Sequence, residues 1–235
     1  MYTIDDLKNV MQTLLSDNGC SWDRAQTHET LKQYLIEECY EAVEAINNKD
    51  MDNLCEELGD LLFQIIFHSE LAQKEQKFNF DDVVDNVTKK MIYRHPHVFN
   101  KDDESQNIGW DKLKEKEKGY KTADDVINSV PKALPSLIRS QKIISKSIKY
   151  GKYSDTAENI ADNISKYSDE LKLQILRNNK VNQEIIGNIL LELTKISHFF
   201  QINADFSLTN ALEKFINRIE DYWYALKSVG EAIED

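Results

Sequence analysis

Residues 27–75 read THETLKQYLIEECYEAVEAINNKDMDNLCEELGDLLFQIIFHSELAQKE, and the reading of this stretch decides the fold. Its apolar residues recur at steps of three and four, the period of a helix with one buried face. Thr27 can cap a helix running to about Ile46, with Leu31, Leu35, Ala42 and Ala45 on one stripe and Glu29 in the first turn, where the helix dipole favours an acid. Asn47-Asn48-Lys49-Asp50 stops it, and a second helix runs from about Met51 to Glu75. So short a link folds the two helices back as an antiparallel hairpin.

Outward from the hairpin the pattern stays helical. A third helix runs from about Phe80 to Tyr93 and closes at His95-Pro96, and residues 100–109 form a polar loop. Further helices are expected over Leu137–Ser147, Ala157–Leu176, Asn182–Gln201 and Leu208–Ala232. Ser129–Pro135 holds two of the three prolines and marks the best internal boundary, giving domains 1–128 and 129–235. Seven glycines and three prolines in 235 residues are too few for the hairpins of a sandwich or barrel, so the fold class is all-α. A net charge of −12 disfavours nonspecific nucleic-acid binding. No apolar run is long enough to span a bilayer, and Asp5, Asp6 and Lys8 interrupt any signal-peptide core, so a cytoplasmic protein without membrane partners is expected. Cys20, Cys39 and Cys55 lack CxxC spacing, and Cys39 and Cys55 read as core filler.

The hairpin carries two acidic pairs of one form, Glu38-x-x-Glu41 and Glu57-x-x-Asp60. Spacing i, i+3 puts both members of a pair on one face. Counted from the turn, Glu41 pairs in height with Glu57 and Glu38 with Asp60, each within about 1.5 Å along the axis. Acids at this spacing are also common on solvated surfaces. Here Glu38 interrupts the stripe between Leu35 and Ala42, and from Leu58 to Phe67 the only charge is Asp60, which predicts four carboxylates converging on a buried face. Desolvated carboxylates must protonate or find a cation, and an all-oxygen set suits Mg²⁺ or Mn²⁺ better than zinc. A di-iron bundle would need Glu-x-x-His, which none of the five histidines completes. His68 reads as a satisfied core histidine. Gly59, mid-helix, suggests close approach of a neighbouring helix or a ligand.

Magnesium held by carboxylates commonly bridges to substrate phosphates, so cationic side chains are expected nearby. Lys90 and Arg94 lie at i, i+4 on the third helix, and an Arg suits forked phosphate recognition; the same pair also fits an ordinary basic helix end. Trp22, Gln26 and His28, just before the first long helix, offer an aromatic and two hydrogen-bonding side chains to a base or ribose. Trp22 equally fits a seal over the hairpin.

Trp22-Asp23-x-x-Gln26-Thr27-His28, Glu37-Glu38-x-x-Glu41, Glu56-Glu57-Leu58-Gly59-Asp60-Leu61-Leu62 and Arg94-His95-Pro96-His97-Val98-Phe99, in this order, resemble the MazG nucleoside triphosphate pyrophosphohydrolases, whose pattern is EExxE, a gap, then ExxD. Gly109-Trp110, Lys112–Lys118 and Val130-Pro131 look family-like more weakly. Ser21 departs from the family, which has proline there, and bears on the entry turn. The resemblance implies an all-α bundle whose helices pair into a homodimer, and Mg²⁺-dependent hydrolysis of a nucleoside triphosphate to the monophosphate and pyrophosphate. It implies that Glu38, Glu41, Glu57 and Asp60 hold the metal, that Lys90 and Arg94 meet phosphates, and that water attacks the α-phosphorus, with Glu37 or Glu56 as an outer base.

Members of this family often carry two such domains. Gly187-Asn188-Ile189-Leu190-Leu191 aligns with Gly59–Phe63, and Lys214-Phe215-x-x-Arg218 with Lys90-Met91-x-x-Arg94, so the second half reads as a tandem repeat. Asn188 stands for Asp60 and Ile185 for Glu57, which makes that copy degenerate and without catalysis; an ordinary helical domain with chance similarity is the alternative. The rival to the enzyme reading is a noncatalytic helical dimer that binds nucleotide or a protein partner.

Overall fold

The computed structural model describes residues 1–100, 108–178 and 180–229, except the side chains of residue 178 and of residues 224–229. All described secondary structure is helical, as expected: α1 (Ile4–Leu14), α2 (Ser21–Arg24), α3 (His28–Asn48), α4 (Met51–Lys74), α5 (Phe80–Arg94), α6 (Pro96–Phe99), α7 (Trp110–Lys118), α8 (Ala123–Asn128), α9 (Ser136–Lys149), α10 (Ala157–Asn178), α11 (Gln183–Phe199) and α12 (Ala204–Val229). No described helix is long and apolar enough to cross a membrane. Most of the expected polar loop, residues 101–107, and the last residues of the expected final helix lie outside the described residues.

The chain divides into two compact units, Met1–Leu113 and Lys114–Asp235. The division falls within α7, ahead of the break expected between 128 and 129. The reason lies in the packing of α8 on α9, with Val130 buried between them in sequence, which makes the proline-bearing stretch a turn inside the second unit.

In the first unit, α3 and α4 form the expected hairpin. Thr27 caps α3 through a capping box with Thr30, and Asp50 caps α4 by accepting from the Asn53 amide. α3 runs two residues past Ile46 and ends on Lys49, whose left-handed φ of 58° turns the chain into α4. α1 starts on a second capping box, Thr3 with Asp6, and buries Met11. Its C-cap residue Leu15 joins Met11, Leu31, Ile66 and Phe67 in the core, with Leu7, Leu62, Phe63, Leu71 and Phe80 packed around. Burial of each large side chain contributes roughly 1.5–3 kcal/mol. Polar ties add to it: Gln12 donates to Glu70 at 3.1 Å, Lys74 to the Leu15 carbonyl at 3.0 Å, and Lys8 pairs with Asp81 of α5 at 3.0 Å.

That core occupies only one end of the hairpin, where the C-terminal half of α4 meets the start of α3. The other end is open. Ala42 and Ala45 are buried, but Leu58 is 54 % exposed, Cys39 and Cys55 are exposed rather than core filler, and a Cβ added to Gly59 would meet nothing within 4 Å. The close helix approach expected at Gly59 is therefore absent within the described chain. Apolar periodicity in α4 continues past the point where this chain covers it.

The second unit has its own hairpin, α10 with α11, onto which α9 and α12 pack. Ile185 and Ile160 are buried, and Gln141 of α9 donates to the Ile202 carbonyl at 2.7 Å. A polar group lies inside. Glu192, only 4 % exposed, pairs with Lys195 at 2.6 Å, whose ammonium stands 5.2 Å over the Tyr153 ring.

Candidate active site

The two-residue link between α3 and α4 sets their register, and the register brings carboxylates together. Glu38, Glu41 and Glu57 each offer an oxygen, all within 4.8 Å of one another. Carboxylates this close repel one another, which favours their protonated forms or a cation between them. Asp60 lies outside this triangle, yet its charge reaches it. Burial first, then the charges of Asp60, Glu41 and Glu57, push the Glu38 carboxyl above its ordinary value. Glu57 is pushed up likewise, by desolvation and then by Glu41, Asp60 and Glu56.

The expected buried face is corrected here: Glu38 and Glu57 are half-buried, while Glu41 and Asp60 are exposed, because the cluster sits at the open end of the hairpin. Among the described residues none of the four takes part in an ion pair. An all-oxygen set this crowded, with its protonated forms favoured by mutual repulsion, fits a hard divalent cation such as Mg²⁺ or Mn²⁺.

The nucleoside-facing candidates lie around the start of α3. Ser21 occupies the first position of α2, where proline is equally at home, so the departure from the family leaves the turn intact. Trp22 is 51 % exposed and packs edge-on to Tyr34 at 5.8 Å. Gln26 donates to the Trp22 carbonyl at 2.9 Å and accepts from the Thr30 hydroxyl at 2.7 Å, which ties the segment to the capping box. His28 is engaged with His68, Nδ1 to Nδ1, at 2.7 Å. His68 is thus half satisfied rather than a closed core histidine: its Nε2 is buried without a hydrogen-bond partner among the described residues.

On α5, Lys90 is half-buried. Arg94 is 7 % exposed, and its guanidinium lies 5.2 Å over the Trp110 ring. His95 packs on the same ring at 5.0 Å and is fixed by a 2.7 Å contact between its Nδ1 and the Met91 carbonyl. Sequence reading missed the role of Trp110 as the platform for the basic helix end; the Gly109-Trp110 pair was its only signal. It also missed Gln64, which continues the row from Asp60 to His68 at steps of four and buries an unpartnered Oε1.

Comparison with known proteins gives the family. A family model described as the MazG nucleotide pyrophosphohydrolase domain matches residues 26–99, the span from Gln26 through the acidic hairpin to Phe99. The nucleoside triphosphate pyrophosphohydrolase/pyrophosphatase MazG of Thermotoga maritima is 33% identical over 231 residues, covering 98% of this chain and 89% of its own length. The nucleoside triphosphate pyrophosphohydrolase of Escherichia coli K12 is 33% identical over 231 residues, covering 94% and 87%. The Mycobacterium tuberculosis protein of the same name is 36% identical over 135 residues, covering 55% of this chain and 41% of its own. Likeness that runs nearly end to end, centred on the hairpin that gathers the acids, makes this chain a member of the MazG family of nucleoside triphosphate pyrophosphohydrolases.

Proposed function

We propose that the chain hydrolyses nucleoside and deoxynucleoside triphosphates to monophosphates and pyrophosphate, with Mg²⁺ as cofactor and nucleotide-pool housecleaning as its role in the cytoplasm. The observation that carries this reading is the triangle of Glu38, Glu41 and Glu57 within 4.8 Å, with the Asp60 charge beside it. These four residues would hold Mg²⁺, or Mn²⁺ in its place, which when bound offsets the triphosphate charge and acidifies the attacking water.

The chain's own residues do the rest. Lys90 and Arg94 meet phosphate oxygens, Arg94 from the fixed plane that Trp110 gives it. Trp22, Gln26 and His28 face the nucleoside. Water attacks the α-phosphorus, the bond from that phosphorus to the bridging oxygen breaks, and pyrophosphate leaves. The proton released by the water goes to a carboxylate at the rim, Glu37 or Glu56, both exposed.

The second unit is read as a degenerate tandem copy. Its order of helices and its packing, α9 and α12 on the α10–α11 hairpin, parallel α1 and α5 on the α3–α4 hairpin. On that alignment Ile185, which is buried, takes the place of Glu57 and removes one carboxylate from the set. The exposed apolar rows Leu190 and Leu193 on α11 and Leu208, Leu212, Phe215 and Ile219 on α12 support a homodimer, since so much uncovered apolar surface marks an interaction face.

Chromatographic identification of products from mixed NTPs and dNTPs, with Mg²⁺ and with EDTA, tests the reading. Metal-dependent monophosphate plus pyrophosphate is expected. Nucleotide binding without turnover would move the assignment to a noncatalytic binding dimer.

A further inference from the structure

The first turn of α3 is held to α4 by two imidazoles. Nδ1 of His28 and Nδ1 of His68 lie 2.7 Å apart, with the ring planes within 3° of parallel. Two imidazole nitrogens at that separation share one proton: one ring donates and the other accepts through a bare lone pair. His68 has no second anchor among the described residues, because its Nε2 is buried and unpartnered. A proton added to the accepting nitrogen sets N–H against N–H and brings a positive charge into the contact.

Surrounding charges do not offset that. On α3, Glu29 beside His28 is paired with Lys32. On α4, the neighbours one turn back and two residues on are Gln64 and Glu70, and the Glu70 carboxylate accepts from Gln12 of α1. Burial, then the charge of His28, hold the His68 imidazole below its ordinary pKa of 6.5.

What the contact holds is the anchor of the segment before it. Thr27 and Thr30 form the capping box at this turn, Gln26 is bonded to Thr30 and to the Trp22 carbonyl, and the Trp22 ring rests on Tyr34 of the next turn. We propose that His68 is a positioning residue for Trp22, Gln26 and His28, acting as a proton-operated latch. With one proton between the two rings, the first turn of α3 is fixed against α4; the next proton taken up goes to the free nitrogen of the donating ring and keeps the contact, and protonation of the accepting nitrogen as well releases that turn and loosens the grip on the nucleoside. This rests on the reading of Trp22, Gln26 and His28 as the nucleoside-facing group.

The test compares the full-length wild-type chain with H68Q, whose amide can accept from His28 but does not titrate, and with H68L, which cannot accept. KM for a turned-over nucleotide and kcat are measured from pH 8 to pH 5.5 with saturating Mg²⁺. In the wild type KM is expected to rise below pH 6.5, by up to about tenfold per pH unit once the accepting nitrogen is protonated. H68Q is expected to show a flat KM, and H68L a raised KM at every pH. Carboxylate titration lowers kcat of all three alike. An equal acid rise of KM in wild type and H68Q, or no rise in the wild type, overturns the latch.

Amide hydrogen exchange at residues 28–31, followed by NMR without nucleotide, reads the latch independently of catalysis. Protection lost below pH 6.5 in the wild type but retained in H68Q supports it, and identical profiles overturn it. Absence of turnover at pH 8 with that exchange difference present would sink the enzymatic reading and leave the latch standing.

Discussion

Arg94 and Trp110 form a stack in which the guanidinium lies 5.2 Å over the indole while Arg94 is almost wholly buried. The ring gives the guanidinium a flat face to lie on at the end of α5. Removal of the ring is expected to cost about 1–2 kcal/mol through the lost cation–π contact. W110A should therefore lower the thermal midpoint and raise KM more than it lowers kcat, whereas W110F should recover most of both. Calorimetry and steady-state kinetics on the two variants check this; equal KM in W110A and wild type would show that Arg94 needs no platform.

Glu57 is the one member of the carboxylate triangle contributed by α4. E57Q removes one anionic oxygen without changing shape, so turnover is expected to drop at least about 100-fold while the far-ultraviolet circular dichroism stays helical. Full Mg²⁺-dependent turnover in E57Q would refute the assignment of the metal ligands.

Repulsion within the triangle also links stability to protons and to metal. The carboxyls of Glu38 and Glu57 sit above their ordinary value of 4.5 when folded, so the folded chain binds more protons than the unfolded one between 4.5 and the raised values. The cluster therefore destabilises the fold at neutral pH, and the penalty is relieved as the pH falls through that window. A divalent cation gives the same relief at pH 7. Addition of Mg²⁺ should raise the melting midpoint of the wild type and do so much less in E57Q, as read by differential scanning fluorimetry with EDTA as the baseline.

Glu192 and Lys195 make the corresponding test in the second unit. E192Q leaves a half-buried ammonium with a neutral partner, and a loss of roughly 1–3 kcal/mol is expected. Turnover at a temperature where the variant is folded should match the wild type, since the second unit is read as noncatalytic. A large loss of kcat in folded E192Q would show that this half takes part in catalysis.

Local signals in the chain located most of this architecture. Thr27, Asp50 and the His95-Pro96 pair fix helix ends because a cap or a proline acts on its own few residues. α1 was not singled out, although Thr3-Ile4-Asp5-Asp6 spells its capping box. Counting along two helices from the stop at Asn47–Asp50 brings Glu41 level with Glu57, as the structure has them, because helix geometry carries register over that distance. Burial was another matter. Periodicity shows which face of α4 is apolar, not what covers it, so Cys39 and Cys55 read as core filler and Gly59 as a close helix approach where this chain leaves all three open. Contacts between distant segments, His28 with His68 and Arg94 with Trp110, leave no mark in local pattern; they exist only once the helices have packed.

The link of Lys49 and Asp50 carries a further consequence for how this chain can vary. Glu38 and Glu41 lie on one side of it and Glu57 on the other, so the triangle is a measure of chain length as much as of residue type. One residue inserted into α4 ahead of Glu57 would swing that carboxylate through about 100° and move it about 1.5 Å, out of reach of Glu41 with every ligand still present in the sequence. Insertions and deletions between Glu41 and Glu57 should thus be tolerated only where they leave this phase intact, a restriction that no single-residue scan of the site would reveal.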